Sequence, residues 1–152
     1  MRLSLIAVGR AKRGPEQDLF NAYLKRLRPS LDLIEVEEKR PLSGPELMGR
    51  EAKLIGDKIP EGAHVFALDE RGKAMKSRQF AEKLGGLQDS GIRDCTFIIG
   101  GADGLDPGIC TRANTIMCFG PQTWPHMLVR GMLAEQIYRA QSILAGHPYH
   151  RD

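Results

Sequence analysis

The segment His147-Pro148-Tyr149-His150-Arg151-Asp152 packs two histidines, a tyrosine and an arginine into six residues directly after an apolar helical stretch. That is an unusual density of proton carriers and hydrogen-bond donors for a chain end, where residues are usually frayed and cheap to change. Histidine changes charge near neutral pH and can take or give a proton. Arginine grips anions through paired N–H donors. Such a tail could fold over a pocket, its own or a partner's, and complete an active site. The plain alternative is a solvated end.

Three glycine-bearing segments offer a second place for chemistry. They are Leu68-Asp69-Glu70-Arg71-Gly72-Lys73, Gly100-Gly101-Ala102-Asp103-Gly104 and Phe119-Gly120-Pro121-Gln122-Thr123-Trp124. Each follows an apolar run that reads as a strand. In an open parallel sheet, ligands bind beyond the carboxyl ends of the strands. Adjacent glycines let a ligand approach the backbone with no Cβ in the way. The pattern is neither GxGxxG nor a P-loop, so a dinucleotide fingerprint and a nucleotide hydrolase find no support.

The elements that would position these segments alternate. Strands are expected at 3–8 (LSLIAV), 31–36 (LDLIEV), 64–68 (HVFAL), 95–99 (CTFII) and 115–119. Helices are expected at 15–28, stopped by Pro29, and at 45–59, stopped by Pro60. Another is expected from Ser77, as cap, through 84, closed by Gly85 and Gly86. A short one is expected from Asp106 and Pro107, and a long one over 125–145. Strands alternating with helices imply a mostly parallel α/β sheet covered on both faces. Apolar runs without in/out alternation agree. No linker parts the 152 residues into two domains. The long helix carries Met127, Leu128, Val129, Met132, Leu133, Ile137, Tyr138, Ile143 and Leu144, more than one apolar stripe. A sheet covers only one side, so a homodimer interface is the expected second cover.

Lysine and arginine total 22 against 19 acidic residues, a net charge of +3 and a pI near 8.9. That bias alone does not establish nucleic-acid binding. The basic residues cluster, however, at Arg10, Lys12 and Arg13, at Lys25, Arg26 and Arg28, at Lys39 and Arg40, and from Arg71 to Arg78. Clusters of this kind can follow phosphates. The three cysteines form no CxxC pair, which fits a reducing compartment. No stretch has the length of a transmembrane helix, and the expected location is the cytoplasm. A metal site from His147, His150 and a cysteine is not expected.

Four motifs, IIGGADGL at 98–105, PHMLVR at 125–130, EQIYRA at 135–140 and the ending HPYHRD, occur in order. Together with LSLIAVG at 3–9 they resemble, across the whole chain, the bacterial ribosomal RNA large subunit methyltransferase H family. That family acts on N3 of a pseudouridine and is a minimal branch of the SPOUT superfamily. The resemblance implies an α/β fold with a C-terminal trefoil knot, S-adenosyl-L-methionine as cofactor and a homodimer formed through the last helix. The implied substrate is 23S rRNA within the assembled ribosome, with no metal and no membrane involved. Leu68 would line the cofactor site and Gly100 would touch the cofactor through its backbone. Phe119, Gly120, Pro121, Gln122, Thr123 and Trp124 would wrap it. The stretch 118–122 departs from the family's usual Leu-Ser-containing sequence. Arg139, Tyr149 and His150 would act on the substrate: His150 as base, Arg139 as anion or phosphate grip, and Tyr149 stacked on a splayed base. The competing readings are a SPOUT methyltransferase with a different RNA target and a non-catalytic ribosome-binding factor that uses the basic clusters alone.

Overall fold

The computed structural model describes residues 1–152. Five parallel strands form one sheet in the order β2-β1-β4-β3-β5. They are β1 (Arg2–Val8), β2 (Leu31–Val36), β3 (His64–Ala74), β4 (Asp94–Ile99) and β5 (Thr115–Cys118). The helices are α1 (Pro15–Leu24), α2 (Gly44–Gly56), α3 (Ser77–Asp89), α4 (Pro107–Arg112) and α5 (His126–Leu144).

Alternate strand residues feed two cores. Leu3, Leu5, Phe66, Phe97 and Ile99 pack against Phe20 of α1, Phe80 and Leu84 of α3, and Leu133 and Ile137 of α5. Phe66 and Phe97 stack at 5.0 Å between ring centroids, and Phe80 meets both edge-on. Ile6, Val8, Val65, Ala67 and Ile98 point the other way, onto Ile55 of α2 and Ile109 and Cys110 of α4. Burial on both faces explains why these strands lack polar alternation.

Several boundaries move for identifiable reasons. The third strand runs past Leu68 because its register against β5 shifts between Leu68 and Lys73, after which Lys73 and Ala74 pair with Met117 and Cys118. Gly72 permits this: a Cβ there would stand 2.5 Å from the Met117 nitrogen. The helix expected to close at Gly85 and Gly86 continues to Asp89. Gly85 serves packing instead, since a Cβ there would stand 2.9 Å from Leu144 Cδ2. Ser77 is not the cap. The Lys76 amide donates to Gln79 Oε1 at 2.9 Å, and the Ser77 hydroxyl donates to Gln136 Oε1 at 2.8 Å. The first helix ends at Leu24, not residue 28, although Leu27 is fully buried.

The last helix is covered more fully than its sequence suggests. It packs between α1 and α3 as well as on the sheet. Gly131 admits Leu19 of α1 to 2.9 Å from where a Cβ would lie. The apolar wrap is therefore largely satisfied within one chain, and Leu128, Met132 and Ile143 remain partly exposed. The helix closes with Gly146 at φ +71°, where the His147 amide donates to the Ser142 carbonyl at 2.9 Å and the Gly146 amide to the Ile143 carbonyl at 3.1 Å. This αL closure reverses the chain and sends residues 147–152 back along the helix.

Arg130, fully buried near the start of α5, fixes that end. Its Nη1 donates to Glu35 Oε2 at 2.6 Å and its Nη2 to the Gly9 carbonyl at 3.0 Å. The Ala11 amide donates to the same Glu35 oxygen at 2.6 Å. Burial pushes the Glu35 carboxyl up, but the bonds from Arg130 and Ala11 and the charges of Arg130 and Arg10 outweigh it and hold it below its usual range. The pair's contribution is therefore complete above the unfolded value, about 4.3, and is lost as pH falls through the lower folded value.

Two stability predictions follow from these contacts. Glu35→Leu leaves Arg130 an unpaired buried cation and should cost about 3 kcal/mol in denaturant unfolding at pH 7. The wild type should lose stability below about pH 4.3, and the variant should not share that part of the slope; parallel pH profiles would refute the assignment. Gly72→Ala should cost about 1–3 kcal/mol by forcing β5 away from β3, whereas Gly62→Ala, in an open turn with φ +74°, should pay only its backbone strain.

Candidate active site

The carboxyl ends of β3, β4 and β5 open into a cavity of about 190 Å³. Seven of the eight residues expected to hold a cofactor line it: Leu68, Gly100, Phe119, Gly120, Gln122, Thr123 and Trp124. Pro121 does not. The three separate glycine segments therefore converge. The sheet order does this, because β3 lies between β4 and β5 and the chain leaves each strand at the same edge.

Local sequence shapes each wall. Gly100 ends β4 where a Cβ would stand 2.9 Å from the Gly104 carbonyl carbon and 3.1 Å from Leu105 Cδ2. The loop can fold tightly there only around glycine. Trp124 is 38% exposed, and its Nε1 donates to the Phe119 carbonyl at 3.1 Å, which closes the loop after β5 on itself. Gly120 at φ +96° makes that closure possible. The floor is apolar, from Ile99, Leu105, Met117 and Val129.

Two carboxylates, Asp69 and Glu70, stand on the rim. Asp69 is clamped by Arg71 through bonds of 2.7 and 2.9 Å. That guanidinium holds the Asp69 carboxyl below its usual range against the opposing effect of burial. Beneath the loop after β4 lies Glu51 of α2, a buried acid whose carboxyl is pushed up by burial and then by the charge of Asp103. Its Oε2 would stand 3.1 Å from a Cβ at Gly101.

Arg139, Tyr149 and His150 also meet, but elsewhere. Arg139 donates twice to Glu135 Oε1, at 3.0 and 2.6 Å, and its Nη1 lies 3.1 Å from His150 Nδ1. The Tyr149 hydroxyl donates to the same Glu135 oxygen at 3.0 Å, and the Arg139 guanidinium sits 4.8 Å from the Tyr149 ring centroid. A guanidinium only donates, so His150 Nδ1 accepts and Nε2 carries the hydrogen. That hydrogen faces Asp152 Oδ1 at 3.0 Å, and Asp152 is tied in turn to Arg78 of α3. Burial, then the hydrogen bonds of Tyr23 and Glu135, push the Tyr149 hydroxyl well above the ordinary phenol range, so it stays protonated at neutral pH. The tail is therefore ordered, against the expectation for a frayed end.

None of these three residues lines the cavity. Arg139 lies thirteen positions along α5 from His126, which does line it, a separation of about 20 Å at 1.5 Å per residue. His126, which the sequence offers as either a functional or a packing residue at the start of the last helix, lines the cavity, and Met117, Cys118 and Val129 line it without having been singled out from sequence. Their signal was positional, at the end of β5 and in the first turn of α5. His64, by contrast, is structural: its Nε2 lies 3.0 Å from Thr115 Oγ1 and its ring packs on Phe66. No three His, Cys, Asp or Glu side chains come together as metal ligands, and no helix is long and apolar enough to cross a membrane.

The family described as "Predicted SPOUT methyltransferase" matches residues 1–150. The chain is 58% identical over 151 residues, 99% of each chain, to a protein of Paramagnetospirillum magneticum named ribosomal RNA large subunit methyltransferase H. It is 56% identical over 151 residues, again 99% of each, to one of the same name from Rhodospirillum centenum, and 49% identical over the full length of one from Phenylobacterium zucineum. Among solved structures it superposes on a probable methylase family protein of Haemophilus influenzae with a TM-score of 0.57 at 10% identity, covering 99% of this chain and 70% of that one. TrmJ of Z. mobilis gives a TM-score of 0.58 at 15% identity, covering 93% of this chain and 71% of that one. These two likenesses speak for the fold alone. A family match across nearly every residue, on a five-stranded parallel sheet whose carboxyl-edge loops converge, places this chain in the SPOUT methyltransferase family.

Proposed function

We propose that this chain methylates N3 of a pseudouridine in 23S rRNA on the assembled ribosome, in the cytoplasm, using S-adenosyl-L-methionine as a homodimer. What carries this reading is the chain-long likeness to proteins named ribosomal RNA large subunit methyltransferase H. The C-terminal knot inferred from the motifs belongs to the same reading.

The carboxyl-edge cavity suits the cofactor. Its apolar floor and the Trp124 and Phe119 rings suit an adenine, and the tight Gly100 turn leaves backbone polar groups free of any Cβ. Leu68, Gly100 and the loop 119–124 would hold it, with Asp69 or Glu70 available to its hydroxyl or ammonium groups. When bound, it supplies an electrophilic methyl group on a sulfonium, so the protein's task is mainly alignment.

The acceptor nitrogen must lose its proton, and the resulting charge spreads onto the flanking carbonyl oxygens. Arg139 is the cation for that charge. Its exchange of partners supplies the base: when Arg139 turns from His150 to the substrate oxygens, the Nδ1 lone pair of His150 is released and can take the N3 proton. Glu135 holds Arg139 in place. Tyr149, protonated and already under a guanidinium, is fitted for stacking and donation rather than for proton abstraction.

The distance of about 20 Å along α5 between this cluster and the cavity favours a site shared by two chains, with the tail of one protomer serving the cavity of its partner. The partly exposed Leu128, Met132 and Ile143 on the outer face of α5 supply an apolar surface for that pairing.

Ribosomes from cells lacking this gene, incubated with the protein and labelled cofactor, test the reading. Label should appear on a pseudouridine of 23S rRNA, with whole particles preferred over free large subunits. Label on another RNA would move the assignment to a different target. Cofactor binding without any label would leave only the scaffold.

Removal of residues 149–152 should abolish transfer and leave cofactor affinity within about twofold, because the tail is assigned to the substrate and none of its residues lines the cavity of its own chain. Mixing that truncated protein with Gly100→Val should restore about a quarter of wild-type activity, since half of randomly mixed dimers carry one intact composite site. No restoration, with mixed dimers formed, would put the tail to work in its own chain.

A further inference from the structure

A second cavity, of about 470 Å³, lies between the loop after β1 and the start of α5. Gly9, Arg10, Lys12, Arg13, Phe20, His126 and Arg130 are among its walls. Its size is that of a small-molecule site, and no residue of the tail cluster belongs to it.

Three features give it the chemistry of an anion site. Arg130 lines it, is 1% exposed, and keeps its Nε without any hydrogen-bond partner although both Nη atoms are engaged. A buried guanidinium N–H left unmatched is costly and calls for an acceptor. The first turn of the 19-residue helix α5 opens onto the same space. Pro125 gives no side-chain cap, and the amides of His126 and Met127 have no partner in the chain. A helix start with free amides favours negative charge. Lys12 and Arg13 stand on the rim and form no ion pair. Arg10 is shared with Glu37 at 3.0 Å, and Glu16 is the one acidic residue of the lining.

His126 sets the position of this cavity relative to the chemistry, because it also lines the carboxyl-edge cavity. A Cβ at Gly9 would stand 4.0 Å from His126 Nε2, so the imidazole edge is packed on the loop after β1. An anion held here lies one side chain from the place where the methyl donor is expected.

We propose that this cleft binds a backbone phosphate of the RNA strand that carries the target nucleotide, and that Arg130, the α5 amides, Lys12 and Arg13 hold it. The inference rests on the RNA-methylating reading above for the identity of the strand, and on the cleft alone for the anion. The cleft would index the strand so that the nucleotide beside that phosphate meets the donor. It would also give this domain a recognition element for the strand. Phosphate contacts position a nucleic acid without reading its sequence.

The test separates the two layers. Lys12 and Arg13 are on the surface, so Lys12→Ala with Arg13→Ala should fold as the wild type does. The paired variant should bind labelled cofactor normally but raise the KM for ribosomes about tenfold, and flatten its logarithmic salt dependence by about 0.7, as loss of one phosphate contact on a single strand requires. Inorganic phosphate, titrated into the isotope-labelled protein, should shift the His126 ring resonances saturably in the wild type and weakly in the variant. An unchanged KM and salt slope would overturn the strand assignment. An absent phosphate shift would overturn the anion site itself. If the wild type methylates no RNA yet phosphate still shifts His126, the cleft stands and the RNA reading falls.

Discussion

The Arg130–Glu35 pair is the constraint on which the working half of this molecule depends. A guanidinium enters the core because it meets a carboxylate and the backbone carbonyls of Val8 and Gly9 at the carboxyl ends of β1 and β2. Buried pairs of this kind add little stability over apolar packing, but removing one partner is severe. What the pair contributes is position. It pins the first turn of α5 to the edge of the sheet where the loops emerge, and both cavities are built against that turn. His126, four residues before Arg130, then becomes a wall common to the two.

The sheet and its helices were largely legible in the sequence, for a physical reason. Runs such as LSLIAV and CTFII are buried on both faces, and amphipathic stretches with proline and glycine at their ends lie between them. The errors fell where tertiary contact overrides local preference. Gly85 looks like a helix stop and is a packing notch for Leu144. Gly72 reads as part of a ligand-binding loop and is the place where β5 lies close against β3. Glycine has two uses, conformational and steric, and a sequence cannot tell them apart.

The convergence of the three glycine-bearing loops was legible because strand ends in a parallel sheet share one edge, so segments distant in sequence meet once strand order is known. Arg130 was not legible as a core residue. An arginine in an amphipathic helix reads as solvated, and its partner Glu35 lies 95 positions earlier in a strand that alternates polar and apolar residues. The tail was legible as chemistry but not as place. Its residue types are those that can handle protons, while the αL closure at Gly146 decides that these side chains fold along α5 and stay away from the cavity of their own chain.

That placement bears on how so short a chain can run a demanding reaction. In the proposed reaction a proton acceptor and an anion grip must reach the substrate without disturbing the cavity that would hold the donor. Here α5 separates them by its own length, with the cavity at its first turn and the Glu135–Arg139–Tyr149–His150 cluster on its second half. The Arg139 contact occupies the one lone pair of the neutral His150 ring, so within a lone chain the proposed base would be masked. An anionic substrate group is the ligand best able to draw Arg139 away and uncover it. Under that proposal, coupling the base to the arrival of the anion would keep proton abstraction tied to the correct geometry, and it needs only two side chains that already stand 3.1 Å apart.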